Sequence, residues 1–94
     1  GEEITVTKLQ RVGRAEVYLR KLGWQNLRVR SEGNTARIEL LPEQIKDFVS
    51  GTDLQSVVSA FQDFGFMYVT LDLEGYRSGK LNQVLNQSVL ENVN

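Results

Sequence analysis

Two segments of this chain carry one pattern at identical offsets: Leu22-Gly23-Trp24 is followed by Leu27 and Val29, and Phe64-Gly65-Phe66 is followed by Val69 and Leu71. Each copy reads as a helix end, a glycine in the left-handed conformation that stops the helix, an aromatic residue, and a strand with alternating apolar positions. A chain that repeats this unit sends two strands into one sheet, each from a helix. The helices can be read backwards from the glycines. Before Gly23, the residues Leu9, Val12, Ala15, Leu19 and Leu22 recur at three- and four-residue spacing. The run Thr7-Lys8-Leu9-Gln10 has the form of a capping box, so a helix is expected from Thr7 to Leu22 after a loose lead-in over Glu2 to Val6. Before Gly65, Leu54, Val57, Val58, Phe61 and Phe64 form a second stripe, opened by the same capping pattern across Thr52 to Gln55.

The rest of the chain fills in around these units. Leu27 to Arg30 and Thr35 to Leu40 alternate on either side of Ser31-Glu32-Gly33-Asn34, which is hairpin turn chemistry. Leu27, Val29, Ala36, Ile38 and Leu40 should face the core. Pro42 opens a short helix with Ile45, Phe48 and Val49 on its apolar side, ended by Ser50-Gly51. In the last strand Val69, Leu71 and Leu73 alternate with Tyr68, Thr70 and Asp72. The fold class is α/β (α+β): a small three-stranded mixed sheet with helices on one face, in the order α-β-β-α-α-β. A right-handed crossover should make the second and third strands parallel. Beyond Lys80, Leu81, Val84, Leu85, Val89 and Leu90 suggest a weak C-terminal helix that frays over 86–94. The 94 residues are read as a single domain, 1–94.

Composition narrows the chemistry. With no cysteine and no histidine, disulfides, Cys/His zinc sites and Ser-His or Cys-His nucleophiles are excluded for this chain. A net charge of -1 argues against broad electrostatic binding to nucleic acid, and no apolar run is long enough for a transmembrane helix. The expected compartment is the cytoplasm, with no membrane or nucleic-acid partner. Two features remain for binding. Arg28, Arg30, Arg37 and Glu39 share the non-core face of the sheet with Thr70 and Asp72. That face is either solvated and laced with cross-strand ion pairs, or a surface for a phosphate-bearing ligand or another subunit. Tyr76-Arg77-Ser78, bracketed by Gly75 and Gly79, sits just past the carboxyl end of the last strand, where open α/β sheets place ligands. The same residues fit an exposed turn with a solvated arginine equally well. Glu16 lands at the border of the first helix's apolar stripe, as an ion-pair member or a ligand.

Read together, Ala15-Glu16-Val17-Tyr18-Leu19-Arg20-Lys21-Leu22-Gly23-Trp24, Leu27-Arg28-Val29-Arg30, Ala36-Arg37-Ile38-Glu39-Leu40 and the run from Tyr68 to Asn82 resemble the C-terminal domain of the LarE-type ATP-dependent sacrificial sulfur transferases, of the PP-loop ATP pyrophosphatase superfamily. The resemblance implies an excised domain, since the family's nucleotide-binding PP-loop and its sulfur-donating cysteine or cluster are absent from this sequence. It implies a parent that uses ATP and magnesium to convert the carboxylates of a pyridinium mononucleotide to thiocarboxylates for a nickel-pincer cofactor. The implied partners are an upstream PP-loop domain, other subunits of a homo-oligomer, and the phosphate-bearing mononucleotide. Matched position by position, Arg28 and Arg77 correspond to residues that hold substrate phosphate, with Ser78 and Arg30 beside them. Glu16, Glu39 and Asp47 correspond to acidic positions tied to a metal or to substrate. A divalent cation suits such oxygen ligands, but these three lie on separate elements and must converge to hold one. No cofactor is expected on this chain alone, and no catalytic residue. The competing expectation is a subunit-assembly module with no ligand.

Overall fold

The computed structural model describes residues 5–76. Helix α1 (Val6–Lys21) leads into strands β1 (Arg28–Glu32) and β2 (Thr35–Glu39). A single 3-10 turn (Pro42–Gln44) runs into α2 (Ile45–Gly51), followed by α3 (Leu54–Asp63) and β3 (Tyr68–Leu71). The sheet order is β1-β2-β3, with β1 antiparallel and β3 parallel to β2. This is the expected α+β order and mixed sheet. The anticipated helix after Lys80 and the frayed segment 86–94 lie outside the described residues. Among the described residues no helix is long and apolar enough to cross a membrane.

The repeated unit has one physical cause in both places. After α1, the Gly23 N–H donates to Arg20 O at 2.9 Å and the Trp24 N–H to Leu19 O at 3.2 Å. After α3, the Gly65 N–H donates to Gln62 O at 3.0 Å and the Phe66 N–H to Phe61 O at 3.1 Å. These paired bonds satisfy carbonyls that a helix end leaves open, and they require the positive φ seen at Gly23 (107°) and Gly65 (114°). The aromatic that follows each glycine is thereby turned inward. Trp24 meets Phe48 edge-on at 5.3 Å, and Phe66 lies 5.9 Å from Phe61. Leu27, Val29, Ala36, Ile38 and Leu40 are all buried against this layer, as the alternation required.

Four local expectations are corrected, the last of them at α3. The cap of α1 is Thr5, whose hydroxyl accepts the Lys8 N–H at 3.1 Å, and Thr7 already lies inside the helix. The inward face of α1 runs through Arg11, Ala15 and Leu19. At ~100° per residue Leu9 lies ~120° from Ala15 and Arg11 only ~40° from it, so Leu9 is 61% exposed while Arg11 is 8% exposed. Leu22, at the cap position, is exposed as well. The third strand stops at Leu71, because Asp72 closes a turn: its Oδ1 accepts the Glu74 N–H at 2.9 Å and its carbonyl accepts the Gly75 N–H at 3.1 Å. Leu73 is left on that turn, 81% exposed.

Helix α3 is capped by Asp53 rather than Thr52. Its Oδ2 accepts the Ser56 hydroxyl at 2.8 Å and its Oδ1 the Ser56 N–H at 3.3 Å. The hydroxyl bond first, and the N–H bond second, hold the Asp53 carboxyl below its ordinary range. A depressed folded-state value means that the stabilisation is complete above the unfolded value of about 3.9 and is lost as pH falls through the folded one. The Asp53→Asn variant should therefore show a shallower loss of stability between pH 5 and pH 2 than the parent chain. Urea midpoints measured across that range check it, and parallel curves would remove Asp53 from the acid response.

Candidate functional site

The outer face of the sheet follows from the register. Arg28 stands opposite Glu39 and Arg30 opposite Arg37 on the antiparallel side, and Arg37 stands opposite Thr70 on the parallel side. Side chains that pair across strands share a face, so cations and acids are interleaved there. Glu39 is the hub. Although only 7% exposed, it accepts the Arg30 Nε–H at 3.2 Å on one oxygen and the Arg37 Nε–H at 3.1 Å on the other. Arg37 also pairs with Glu32 and lies 3.7 Å from Asp72 Oδ2. Two arginines and three carboxylates thus form one connected set.

Arg28 is held differently. Its Nη2 donates to the Tyr76 hydroxyl at 3.4 Å, and its guanidinium carbon lies 5.6 Å from the centre of the Tyr76 ring. The bond to the Tyr76 hydroxyl, then the charges of Tyr76 and Glu16, raise its pKa further above an already high value. Tyr76 is fixed in turn by the main chain, since its N–H donates to the carbonyl of Leu40 at the end of β2. Gly75 makes that approach possible. It is buried at φ 84°, and a Cβ added there would stand 2.5 Å from Leu40 O and 3.0 Å from Pro42 N. The missing Cβ of this glycine thus serves a close approach to the protein's own backbone.

Arg77 and Ser78 lie outside the described residues, directly after Tyr76. The three acidic candidates are not brought together. Glu16 accepts the Val29 N–H on Oε2 at 2.9 Å and faces Arg20 at 3.8 Å through Oε1, so it stands as an ion-pair member in this structure. Glu39 is engaged by Arg30 and Arg37 on the outer face, and Asp47 is exposed in the first turn of α2. Among the described residues there is no group of three side chains that could hold a metal ion.

One contact and one residue lie outside what the sequence reading assigns. Tyr76 is read there as part of a candidate ligand loop with Arg77 and Ser78, but not as the partner of Arg28, although an aromatic is a natural platform for a guanidinium. Arg11 was passed over because it is charged, yet it is in phase with Ala15 and Leu19. Away from the sheet face, a hollow of about 820 Å³ runs along α1, lined by Gly13, Val17, Tyr18, Leu22 and Phe64 among others, and none of the candidate residues line it.

No protein-family model matches the chain. Over 87 residues it is 69% identical to an uncharacterized protein of Synechocystis sp., covering 93% of this chain and 32% of that protein. Over 90 residues it is 43% identical to the pyridinium-3,5-bisthiocarboxylic acid mononucleotide synthase of Lactiplantibacillus plantarum, covering 96% of this chain and 32% of the synthase. The chain thus spans about a third of the length of these curated relatives. With identity of this order running through nearly all of its residues, the chain belongs to the LarE family, as a homologue of a third of such a synthase.

Proposed function

We propose that this chain is an accessory domain of an ATP-dependent sulfur transferase and contributes arginines to the phosphate of a pyridine mononucleotide substrate. The parent would convert pyridinium carboxylates to thiocarboxylates for a nickel-pincer cofactor. ATP and magnesium would belong to a PP-loop domain beyond this chain. A mononucleotide carries a phosphate monoester, for which a guanidinium is a fitting donor because it can offer two parallel N–H groups. The observation that carries the reading is the placement of Arg28. Its neighbours Arg30 and Arg37 are bound to carboxylates, whereas Arg28 rests on Tyr76, the residue that precedes Arg77 in the chain. Arg28 and Arg77 are the principal phosphate donors in this proposal, with Ser78 assisting and Arg30 contributing only by sharing its bond to Glu39.

A second reading is favoured by one observation. The hollow along α1 has exposed Val17 and Leu22 on its wall, with Val6 and Leu9 exposed on the same helix. Exposed apolar side chains on one helix suit a subunit or domain contact, and this supports an assembly role. One experiment compares the two. The 15N-labelled chain is titrated with phosphate and then with nicotinic acid mononucleotide while its association state is followed by sedimentation. Saturable shifts at Arg28, Gly75 and Tyr76 are the expected result. Shifts at none of these in a folded chain that self-associates would overturn the phosphate role and leave assembly.

A further inference from the structure

We propose that Tyr76 is the positioning residue of this anion site, holding the Arg28 guanidinium in the orientation that receives a phosphate monoester. The inference rests on the reading of Arg28 as a phosphate donor and adds the device that sets its geometry.

An exposed arginine on an outer strand samples many rotamers, and an anion that binds it must freeze them at a cost in affinity. The neighbouring arginines avoid this by binding carboxylates, which fix direction but also offset positive charge. Glu39 does so for Arg30 and Arg37 at 3.2 Å and 3.1 Å. A tyrosine fixes direction differently. Its hydroxyl accepts one N–H of Arg28 at 3.4 Å, and its ring lies 5.6 Å from the guanidinium carbon, within the ~6 Å reach of a cation–π contact. The contact is a hydrogen bond and a ring face rather than an ion pair, so it fixes direction without placing a carboxylate on the guanidinium. The support beneath the ring is rigid. The Tyr76 N–H is bound to Leu40 O, and the preceding Gly75 is packed where a Cβ would collide with that same carbonyl. The terminus of β2 therefore dictates where the ring stands, and the ring dictates where the guanidinium points.

Tyr76 is not itself required to touch the ligand, and this sets the test. Phosphate and ribose 5-phosphate are titrated into the parent chain and the Tyr76→Phe, Tyr76→Leu and Arg28→Gln variants, following both affinity and the Arg28 Nε–H resonance. Tyr76→Phe keeps the ring and should weaken binding about twofold to threefold, whereas Tyr76→Leu should weaken it about tenfold, the scale expected for one long side chain immobilised on binding. The Arg28 Nε–H signal should move toward the value of a freely rotating arginine in Tyr76→Leu and stay near the parent value in Tyr76→Phe. Unchanged binding in Arg28→Gln would sink the phosphate reading itself. Loss of binding in Arg28→Gln, together with parent-like affinity and an unmoved Arg28 signal in Tyr76→Leu, would overturn only the positioning role. Should Tyr76→Leu fail to fold, the folded Tyr76→Phe decides: parent-like affinity with a parent-like Arg28 signal refutes the hydroxyl's part in the device, and the graded loss sustains it.

Discussion

Replacing Arg11 with Met is expected to lower stability by about 3 kcal/mol, the largest loss of any single side-chain change considered for this chain. Arg11 is almost fully buried and, among the described residues, has no carboxylate partner. Its Nη1 donates to Gly65 O at 3.0 Å, and its Nη2 donates to Ser31 Oγ at 3.1 Å and to Gly33 O at 2.5 Å. Its guanidinium carbon lies 4.7 Å from the centre of the Phe66 ring. One side chain thus ties helix α1 to the hairpin turn and to the glycine that ends α3. Charged hydrogen bonds are worth roughly 1.5–3 kcal/mol each, and removing the donor leaves their carbonyl acceptors unsatisfied. Against this stands the desolvation of a cation, relieved by Met, together with a buried Nε that has no partner. The bonds outweigh it, because the acceptors come from separate segments that then lose their common clasp. Arg11→Lys keeps the charge, but a single ammonium cannot span Gly65 and Gly33 as a planar fork does, so it should recover about half of the loss. Thermal melts should show Arg11→Met lower by roughly 15 °C. A variant within about 2 °C of the parent would show that the clasp is ornamental.

Gly75→Ala should separate binding from folding more sharply than any change to a charged residue. A methyl group there meets Leu40 O at 2.5 Å and Pro42 N at 3.0 Å, both backbone atoms, and the residue must also hold a φ of 84°. Main chain at the end of β2 cannot swing aside as a flexible side chain would, so the Gly75–Tyr76 segment has to lift away. The strain is worth about 2 kcal/mol, and lifting relieves part of it at the expense of the Tyr76 contact with Leu40. Arg28 then loses its platform. Phosphate affinity should fall about tenfold while the denaturation midpoint drops only modestly, because the displaced contacts lie at the margin of the core. If Gly75→Ala bound phosphate as tightly as the parent, the route from Leu40 through Tyr76 to Arg28 would have no functional weight.

How much of this was legible in the sequence depends on how local each signal is. The glycine–aromatic–strand repeat was readable because each copy contains its own cause: a helix end with two bonds that only a positive φ permits, and an aromatic turned inward. The inward strand residues were readable because alternation is a property of the strand itself. Caps were displaced by one or two residues, since Thr5 competes with Thr7 and Asp53 with Thr52, and short polar side chains compete on geometry that the sequence does not display. Arg11 was illegible because hydrophobic patterning counts a cation as surface, whereas its acceptors are supplied by residues 20 to 54 positions away. Tyr76 was legible as a residue of the candidate loop, but its contact with Arg28 was not, because the two are 48 residues apart. The acidic trio failed to assemble because Glu16 and Glu39 already have nearer cations and a backbone N–H to satisfy.

The bond from the Val29 N–H to Glu16 also bears on how copies of this sheet can meet. Strand β1 forms one margin of the sheet, and an outward N–H on a marginal strand is a template for a strand from another molecule. Here that N–H is taken by a carboxylate from α1, and Arg11 of the same helix takes the hydroxyl of Ser31 two residues along. A fibre that grows by strand addition needs both margins receptive, because every added copy must offer a new end. With the Val29 N–H engaged from within, the β1 margin is a poorer template for an added strand, which opposes the edge-by-edge propagation on which amyloid depends.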